Sequence, residues 1–115
     1  MRIEIKGRNV AVGDELRQRV EKRFEKIARQ VSPLARLEVE IWEERNPKIK
    51  DSQVVEVTLH LKGKLLRARE ASQSMTRSVN AVADELARQV KRHRDKRRSR
   101  RDAAKAQPSQ QPAAP

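Results

Sequence analysis

The stretch from Ser74 to Arg101 constrains the fold most, because its two halves follow different rules. Apolar residues recur every three or four positions from Met75 to Val90, which is the period of a helix with one buried stripe. Ser74 precedes the stripe and predicts an N-cap, because its hydroxyl can accept a hydrogen bond from the first free backbone amides. The stripe reaches His93 and then stops, since its next position is Arg97. One half of this helix must therefore pack against a partner surface, and the other half cannot.

The second half of this helix carries most of the positive charge of the chain. Between Arg88 and Lys105 the net charge is +8, out of +12 for all 115 residues. A helix over residues 74–101 would be about 40 Å long, whereas strands of six to eight residues span only about 20 to 27 Å. We predict that the basic end overhangs its domain. The basic residues there are Arg88, Lys91, Arg92, Arg94, Lys96, Arg97, Arg98, Arg100 and Arg101.

Charge clustered in this way indicates a polyanionic partner, and RNA or DNA is the abundant one in a cell. The alternative is a solvated or non-specifically adhesive helix end. The surplus of positive charge, which remains after the acidic residues of the stretch are counted, has no acidic partners at the matching spacing along a helix. We therefore favour contact with RNA over this alternative.

Four segments alternate apolar and polar residues, which is typical of strands that bury one face. They cover residues 2–6, 35–43, 53–61 and 65–71, and Gly63 marks a tight hairpin before the last one. A helix with an apolar stripe from Leu16 to Val31 separates the first two strands and ends before Ser32 and Pro33. The predicted order is β-α-β-β-β-α.

Since each strand buries only one face, both helices should pack on the same face of one four-stranded sheet. The first two strands are joined through a helix and should run parallel if they are neighbours, with the other pairs antiparallel. The sequence therefore predicts a single α+β domain with a mixed sheet. It would span residues 1–101, and residues 102–115, rich in Ala, Gln and Pro, would form a disordered tail or the start of a linker.

Two further groups of basic side chains lie outside the last helix. One flank of the first helix is basic, through Arg19, Lys22, Arg23 and Lys26. On the open face of the sheet, the fourth strand carries Arg67 and Arg69. Each group is either an RNA contact or a solvated surface held by ion pairs. Trp42 lies on the same open face, where it either stacks on a base or partner or packs half-buried.

Composition excludes several classes of function. One Trp, one Phe and no Tyr leave almost no aromatic platform for stacking single-stranded nucleic acid. The absence of Cys removes disulfides, thiolate chemistry and zinc fingers. No carboxylate pair, nucleophile with a base or glycine-rich phosphate loop is visible. We therefore predict no enzymatic activity, no cofactor, no metal and no small-molecule substrate.

The sequence also bears on location. No apolar run approaches the roughly 18 residues of a membrane span. The first residues lack the apolar core of a signal peptide. We expect a cytoplasmic protein without a membrane partner.

Taken in order, these residues resemble the ribosome hibernation promoting factors, the family that includes ribosome-associated inhibitor A and light-repressed protein. The resemblance covers residues 1 to about 98. It is carried by residues 3–10, Leu16, Arg17, Val20, Lys22, residues 55–61 and 66–68, Met75, Asp84, Leu86 and residues 88–96. Family members usually have Asp, Met and Tyr where this chain has Ser74, Met75 and Thr76, and Asp where it has Asn80.

The resemblance implies a domain that binds the small (30S) subunit of the 70S ribosome through 16S rRNA, in the cleft near the decoding centre. There it would exclude messenger and transfer RNA and inhibit translation under stress or in stationary phase. The basic helix ends would face RNA phosphates, so recognition would be of shape and backbone. Arg8, after the first strand, gains a role in RNA contact only from the resemblance. The alternative function is that of a general double-stranded RNA-binding protein or RNA chaperone.

Overall fold

The computed structural model describes residues 1–110, with side chains described up to residue 104. Its elements are β1 (Arg2–Arg8), α1 (Asp14–Arg23), α2 (Glu25–Ala28), β2 (Arg36–Glu43), β3 (Gln53–Leu61), β4 (Lys64–Ser72) and α3 (Met75–Gln110). This order confirms the predicted α+β architecture. No helix in the described part of the chain is long and apolar enough to cross a membrane.

The sheet is mixed, as predicted. Its strands lie in the order β1-β2-β3-β4, with β1 parallel to β2 and the other two pairs antiparallel. The register aligns apolar side chains across all four strands in rows that face the helices. One such row is Ile3, Leu37, Leu59 and Leu66. Because side chains alternate along a strand, the charged residues between these positions lie on the opposite, outer face.

The helices cover the inner face of the sheet and close one apolar core. From α1, Val20 is fully buried, and so are Val79, Val82 and Leu86 from α3. Fully burying one such aliphatic side chain stabilises the fold by about 1.5–3 kcal/mol relative to leaving it exposed. The apolar stripe of α3 predicted from the sequence is therefore the stripe that packs on the sheet.

The first predicted helix is interrupted once. Phe24 has φ −97° and ψ 1°, outside the helical range, and it separates α1 from α2. Backbone hydrogen bonds continue across Phe24, since the Phe24 amide donates to Val20 O and the Ala28 amide donates to Phe24 O. Phe24 and Ile27 both remain buried in the core. The apolar stripe was therefore predicted correctly, but a periodic pattern could not show the interruption.

Helix α3 begins where the sequence predicts and continues past Arg101. The Ser74 hydroxyl accepts a hydrogen bond from the Arg77 amide at 3.5 Å, as expected of an N-cap. At the other end the backbone stays helical to Gln110, through alanines that favour helix. The domain boundary after Arg101 stays a prediction, and residues 111–115 of the predicted tail lie outside the described residues.

Candidate nucleic-acid interface

The last part of α3 leaves the body of the protein. Among the side chains described, up to residue 104, Val90 is the last buried one of this helix, and beyond it all but His93 are exposed. Residues 91–110 extend about 30 Å at 1.5 Å per residue. The whole molecule measures 74 × 30 × 18 Å, which reflects this extension. We call residues 91–104 the overhang.

Most basic side chains of the overhang have no acidic partner. Arg92 approaches Glu85 at 3.9 Å, and just before the overhang Arg88 bonds the same carboxylate at 2.7 Å. Hydrogen bonds from Arg88 and Gln89 hold the pKa of Glu85 below its usual range. Among the side chains described, the other predicted residues of this helix form no ion pair. They are Lys91, Arg94, Lys96, Arg97, Arg98, Arg100 and Arg101.

The basic flank of α1 has two different roles. Arg19 donates to the Thr76 hydroxyl, and Arg23 donates to Asn80 at 3.1 Å and to the carboxylate of Asp84. These contacts join α1 to α3, and both helices lie on the same side of the sheet. Thr76 and Asn80 are positions where the chain departs from the usual residues of the family it resembles.

Two lysines of the first two helices remain available for a ligand. Lys22, on α1, and Lys26, on α2, are exposed and form no ion pair within the described part of the chain. They lie on the same side of the sheet as α3. The helix side of the molecule therefore presents unpaired positive charge from all three helices.

The arginines of the outer sheet face are mostly engaged with neighbours. Arg8 is the last residue of β1, not part of the following loop, and it donates to Glu40 Oε1 from Nε at 2.9 Å and from Nη2 at 2.6 Å. Its guanidinium lies 4.6 Å from the ring centroid of Trp42, and that of Arg69 lies 5.0 Å from it. Arg67 is exposed, and its carbonyl accepts a hydrogen bond from Gln89.

Trp42 is therefore not an exposed aromatic. It lies on the outer face, as predicted, but only 8% of its surface is exposed, because the two arginines cover the ring. Such cation–π contacts are attractive because the face of an indole ring is electron-rich. Of the two sequence hypotheses, the structure favours a packing role over stacking on a base.

The outer face also carries the acidic residues of the sheet. Carboxylates line a depression of about 330 Å³ on it, and several of them pair with arginines. Arg2 lies 3.5 Å from Glu4, and Arg36 lies 3.2 Å from Glu38. The lining carboxylates are Glu4, Glu38, Glu40 and Glu56. Because several of its arginines are paired with these carboxylates, the outer face leaves less free positive charge for a polyanion than the overhang does.

The structure also identifies two basic residues that the sequence analysis did not include. Lys62 and Lys64 flank Gly63 in the β3–β4 hairpin, and they line a groove beside the overhang. Two lysines around a hairpin glycine were a visible signal, but only the fold shows what lies opposite them. The described residues contain no group of three or more His, Cys, Asp or Glu placed to hold a metal ion.

Comparison with known proteins gives a consistent set of matches. The family model described as Sigma 54 modulation protein / S30EA ribosomal protein matches residues 3–98. A ribosome hibernation promotion factor of Picosynechococcus sp. is 31% identical over 97 residues, which is 84% of this chain and 50% of that protein. A ribosome hibernation promoting factor of Salmonella typhimurium is 31% identical over 96 residues, 84% of this chain and 96% of that protein. The chain thus spans half the length of the first relative and nearly all of the second.

Solved structures agree with the fold. The N-terminal domain of Thermus thermophilus Protein Y superposes with a TM-score of 0.69 at 26% identity, covering 81% of this chain and 99% of that one. A ribosomal subunit interface protein from Coxiella burnetii superposes with a TM-score of 0.67, covering 83% and 99%. The latter is 19% identical and supports the fold alone.

Proposed function

Since the chain belongs to the Sigma 54 modulation protein / S30EA ribosomal protein family, as its sequence resemblance predicted, we propose that it is a ribosome hibernation factor. It binds the small subunit near the decoding centre through 16S rRNA, and it inhibits translation by blocking messenger and transfer RNA. It acts in the cytoplasm, where ribosomes are, under stress or in stationary phase.

The observation that carries this proposal is the unpaired charge of the overhang. Seven basic side chains project from one helix without an ion pair among the described side chains. Each phosphate that such a side chain neutralises releases condensed counterions, which favours binding. Helical backbone fixes the spacing of the charges in advance, so little ordering is required on contact. Lys22 and Lys26 extend the proposed contact along α1 and α2.

Two arginines of the outer sheet face are already engaged with other side chains. The guanidinium groups of Arg8 and Arg69 already lie against Trp42, and Arg8 is bonded to Glu40. Contact with a phosphate would compete with these interactions. We therefore leave Arg8 and Arg69 out of the proposed contact surface, although the family resemblance and the strand pattern had suggested them.

The test is co-sedimentation of the purified chain with 30S subunits at low and at physiological salt. One variant reverses three overhang charges: Lys91→Glu, Lys96→Glu and Arg98→Glu. A matched control reverses three exposed charges in the loop between β2 and β3: Arg45→Glu, Lys48→Glu and Lys50→Glu. We expect one copy per subunit, displaced by messenger and transfer RNA, with binding lost in the first variant and kept in the control.

Two outcomes would contradict the proposal. Binding of many copies per subunit, or binding that physiological salt removes, would indicate the general double-stranded RNA binder instead. Equal loss in both variants would show that net charge alone, rather than the overhang, drives association. In a cell-free translation reaction, the unaltered chain and the control should inhibit, and the overhang variant should not.

A further inference from the structure

A basic groove runs between the β3–β4 hairpin and α3. Its volume is about 810 Å³, and its lining contains no carboxylate. The hairpin wall supplies Lys62 and Lys64. The helix wall supplies Arg92, Lys96, Arg97 and Arg100. Six cations from two elements therefore face one open space, an arrangement that costs repulsion unless an anion occupies it.

The two walls are held in fixed relation to each other. Leu66 on β4, which lines the groove, and Val90 on α3 are both buried in the same core. The side-chain amide of Gln89 donates to the carbonyl oxygen of Arg67 at 2.7 Å, which ties the helix to the strand. Gly63 forms the hairpin turn with φ +70°, a backbone conformation that favours glycine. The groove is thus part of the folded scaffold and does not depend on a mobile loop.

The positive charges of both walls act on His93. It lines the groove and is half-buried. Burial lowers its pKa first, and the positive charges of Arg97, Lys64, Arg100 and Lys96 lower it further. One of these groups is on the hairpin and three are on the helix. The imidazole between them is therefore neutral near pH 7 and does not add to the repulsion.

We propose that the groove is a two-walled clamp for a phosphodiester backbone, in which one RNA strand lies between the hairpin lysines and the overhang. The inference rests on the proposed function and deepens it by assigning a second wall, Lys62 and Lys64, to the RNA contact. The backbone is the favoured occupant because the lining offers cationic donors at several points along its length. A string of phosphates matches that pattern, whereas a single small anion would meet only part of it.

The test compares two pairs of lysines that differ only in place. The clamp variant is Lys62→Gln with Lys64→Gln, and the control is Lys48→Gln with Lys50→Gln. Both pairs are exposed, both have the same spacing, and they lie at opposite ends of β3. Binding to purified 30S subunits is measured over a range of salt concentrations for both variants and the unaltered chain. Circular dichroism checks that each variant is folded.

Each phosphate contact contributes about 0.7–0.9 to the slope of log affinity against log salt. We expect the clamp variant to lose about 1.5 from that slope and to bind on the order of 20-fold more weakly at physiological salt. The control should keep the slope of the unaltered chain. If the clamp variant instead matches the control while the overhang variant loses binding, the clamp is overturned and the proposed function stands.

A second arm separates the clamp from the function. If the unaltered chain fails to bind 30S subunits, the proposed function falls, and the same variants are then compared by fluorescence anisotropy on a short RNA hairpin. Weaker binding of the clamp variant alone would still support the clamp, and equal binding would overturn it. Polyglutamate at equal charge is added as a competitor. If it displaces that RNA from the unaltered chain but not from the clamp variant, the groove binds an acidic protein segment, and the phosphate assignment is overturned.

Discussion

The outer face of the sheet and the overhang of α3 both carry several arginines, yet they use them in opposite ways. On the sheet, Arg8 is bonded to Glu40 and, with Arg69, covers Trp42. On the overhang, arginines such as Arg94 and Arg98 have no ion pair among the described side chains. The first set of charges stabilises the fold, and the second is the set that we propose contacts RNA.

The role of a surface arginine is therefore indicated by the groups that it contacts, not by its presence in the sequence alone. A surface charge with a carboxylate or ring beside it has less to gain from a phosphate, because the new contact must replace the old one. A charge with no neighbour loses only its hydration. The two surfaces should therefore respond to substitution in opposite ways, and the following substitutions test that expectation.

Replacing the covered tryptophan should have the largest effect. Trp42→Ala removes a buried ring and leaves two arginines without it, so we expect the free energy of unfolding to fall by about 3 kcal/mol. Urea denaturation measures this. The fraction that remains folded should bind 30S subunits within about twofold of the unaltered chain, since the substitution leaves the proposed phosphate contacts untouched. A large loss of affinity with unchanged stability would mean that the outer face is part of the interface.

Neutralising two overhang arginines should do the reverse. Arg94→Gln with Arg98→Gln removes two of the proposed phosphate contacts, and we expect affinity for 30S subunits to fall about 20-fold at physiological salt. Thermal unfolding should be nearly unchanged, because exposed substitutions away from special features usually alter stability by less than about 0.5 kcal/mol. A drop in unfolding temperature with unchanged binding would show that these two arginines stabilise the fold, contrary to our expectation.

Arg8 is the sharpest single test, because the family resemblance suggested an RNA contact and the structure shows an ion pair. Arg8→Gln should lower the free energy of unfolding by about 1 kcal/mol, since the guanidinium is more than half exposed and its pairing is partly screened. Combining it with Glu40→Gln in a double-mutant cycle isolates the pair. If the two substitutions had additive effects on stability, and Arg8→Gln also weakened binding to 30S subunits, Arg8 would be an RNA contact rather than a partner of Glu40.

The smallest effect should be a dependence on pH through His93. Its folded pKa is lowered by burial and by Lys64, Lys96, Arg97 and Arg100, so the unfolded chain takes up the proton first as the pH falls. This contribution to stability is full above the unfolded pKa of about 6.5 and is lost as the pH falls through the folded pKa. Unfolding temperatures of the unaltered chain and of His93→Gln, measured from pH 7.5 to 5.5, should therefore converge towards acid. Parallel curves would contradict the pKa direction.

Much of the fold could be predicted from the period of the apolar residues alone. Alternation placed β3 at residues 53–61, where the structure has it, because a strand with one buried face shows its bounds in the sequence. The interruption of the first helix at Phe24 did not follow, since the apolar period continues on both sides of it. Hydrophobic periodicity indicates which side of a helix is buried, not whether its backbone is continuous.

The candidate site was less accessible to sequence reasoning. The basic run of α3 is contiguous in the chain, so its overhang could be predicted. The covering of Trp42 depends on Arg8 and Arg69, which come from β1 and β4 on either side of the central strands. Likewise Lys62 and Lys64 gain meaning only once α3 lies beside them. Relations between strands and helices distant in sequence require a register that no local pattern contains.

The continuity of α3 has a kinetic consequence. One unbroken helix passes from the core, at Leu86, into the overhang, so the overhang is held in place before any ligand arrives. A preordered cluster of like charge accelerates encounter with an oppositely charged surface, and this acceleration weakens steeply with ionic strength. If RNA is the partner, as we propose, its capture should be governed by long-range attraction rather than by a folding step, while its release depends on how many contacts have formed.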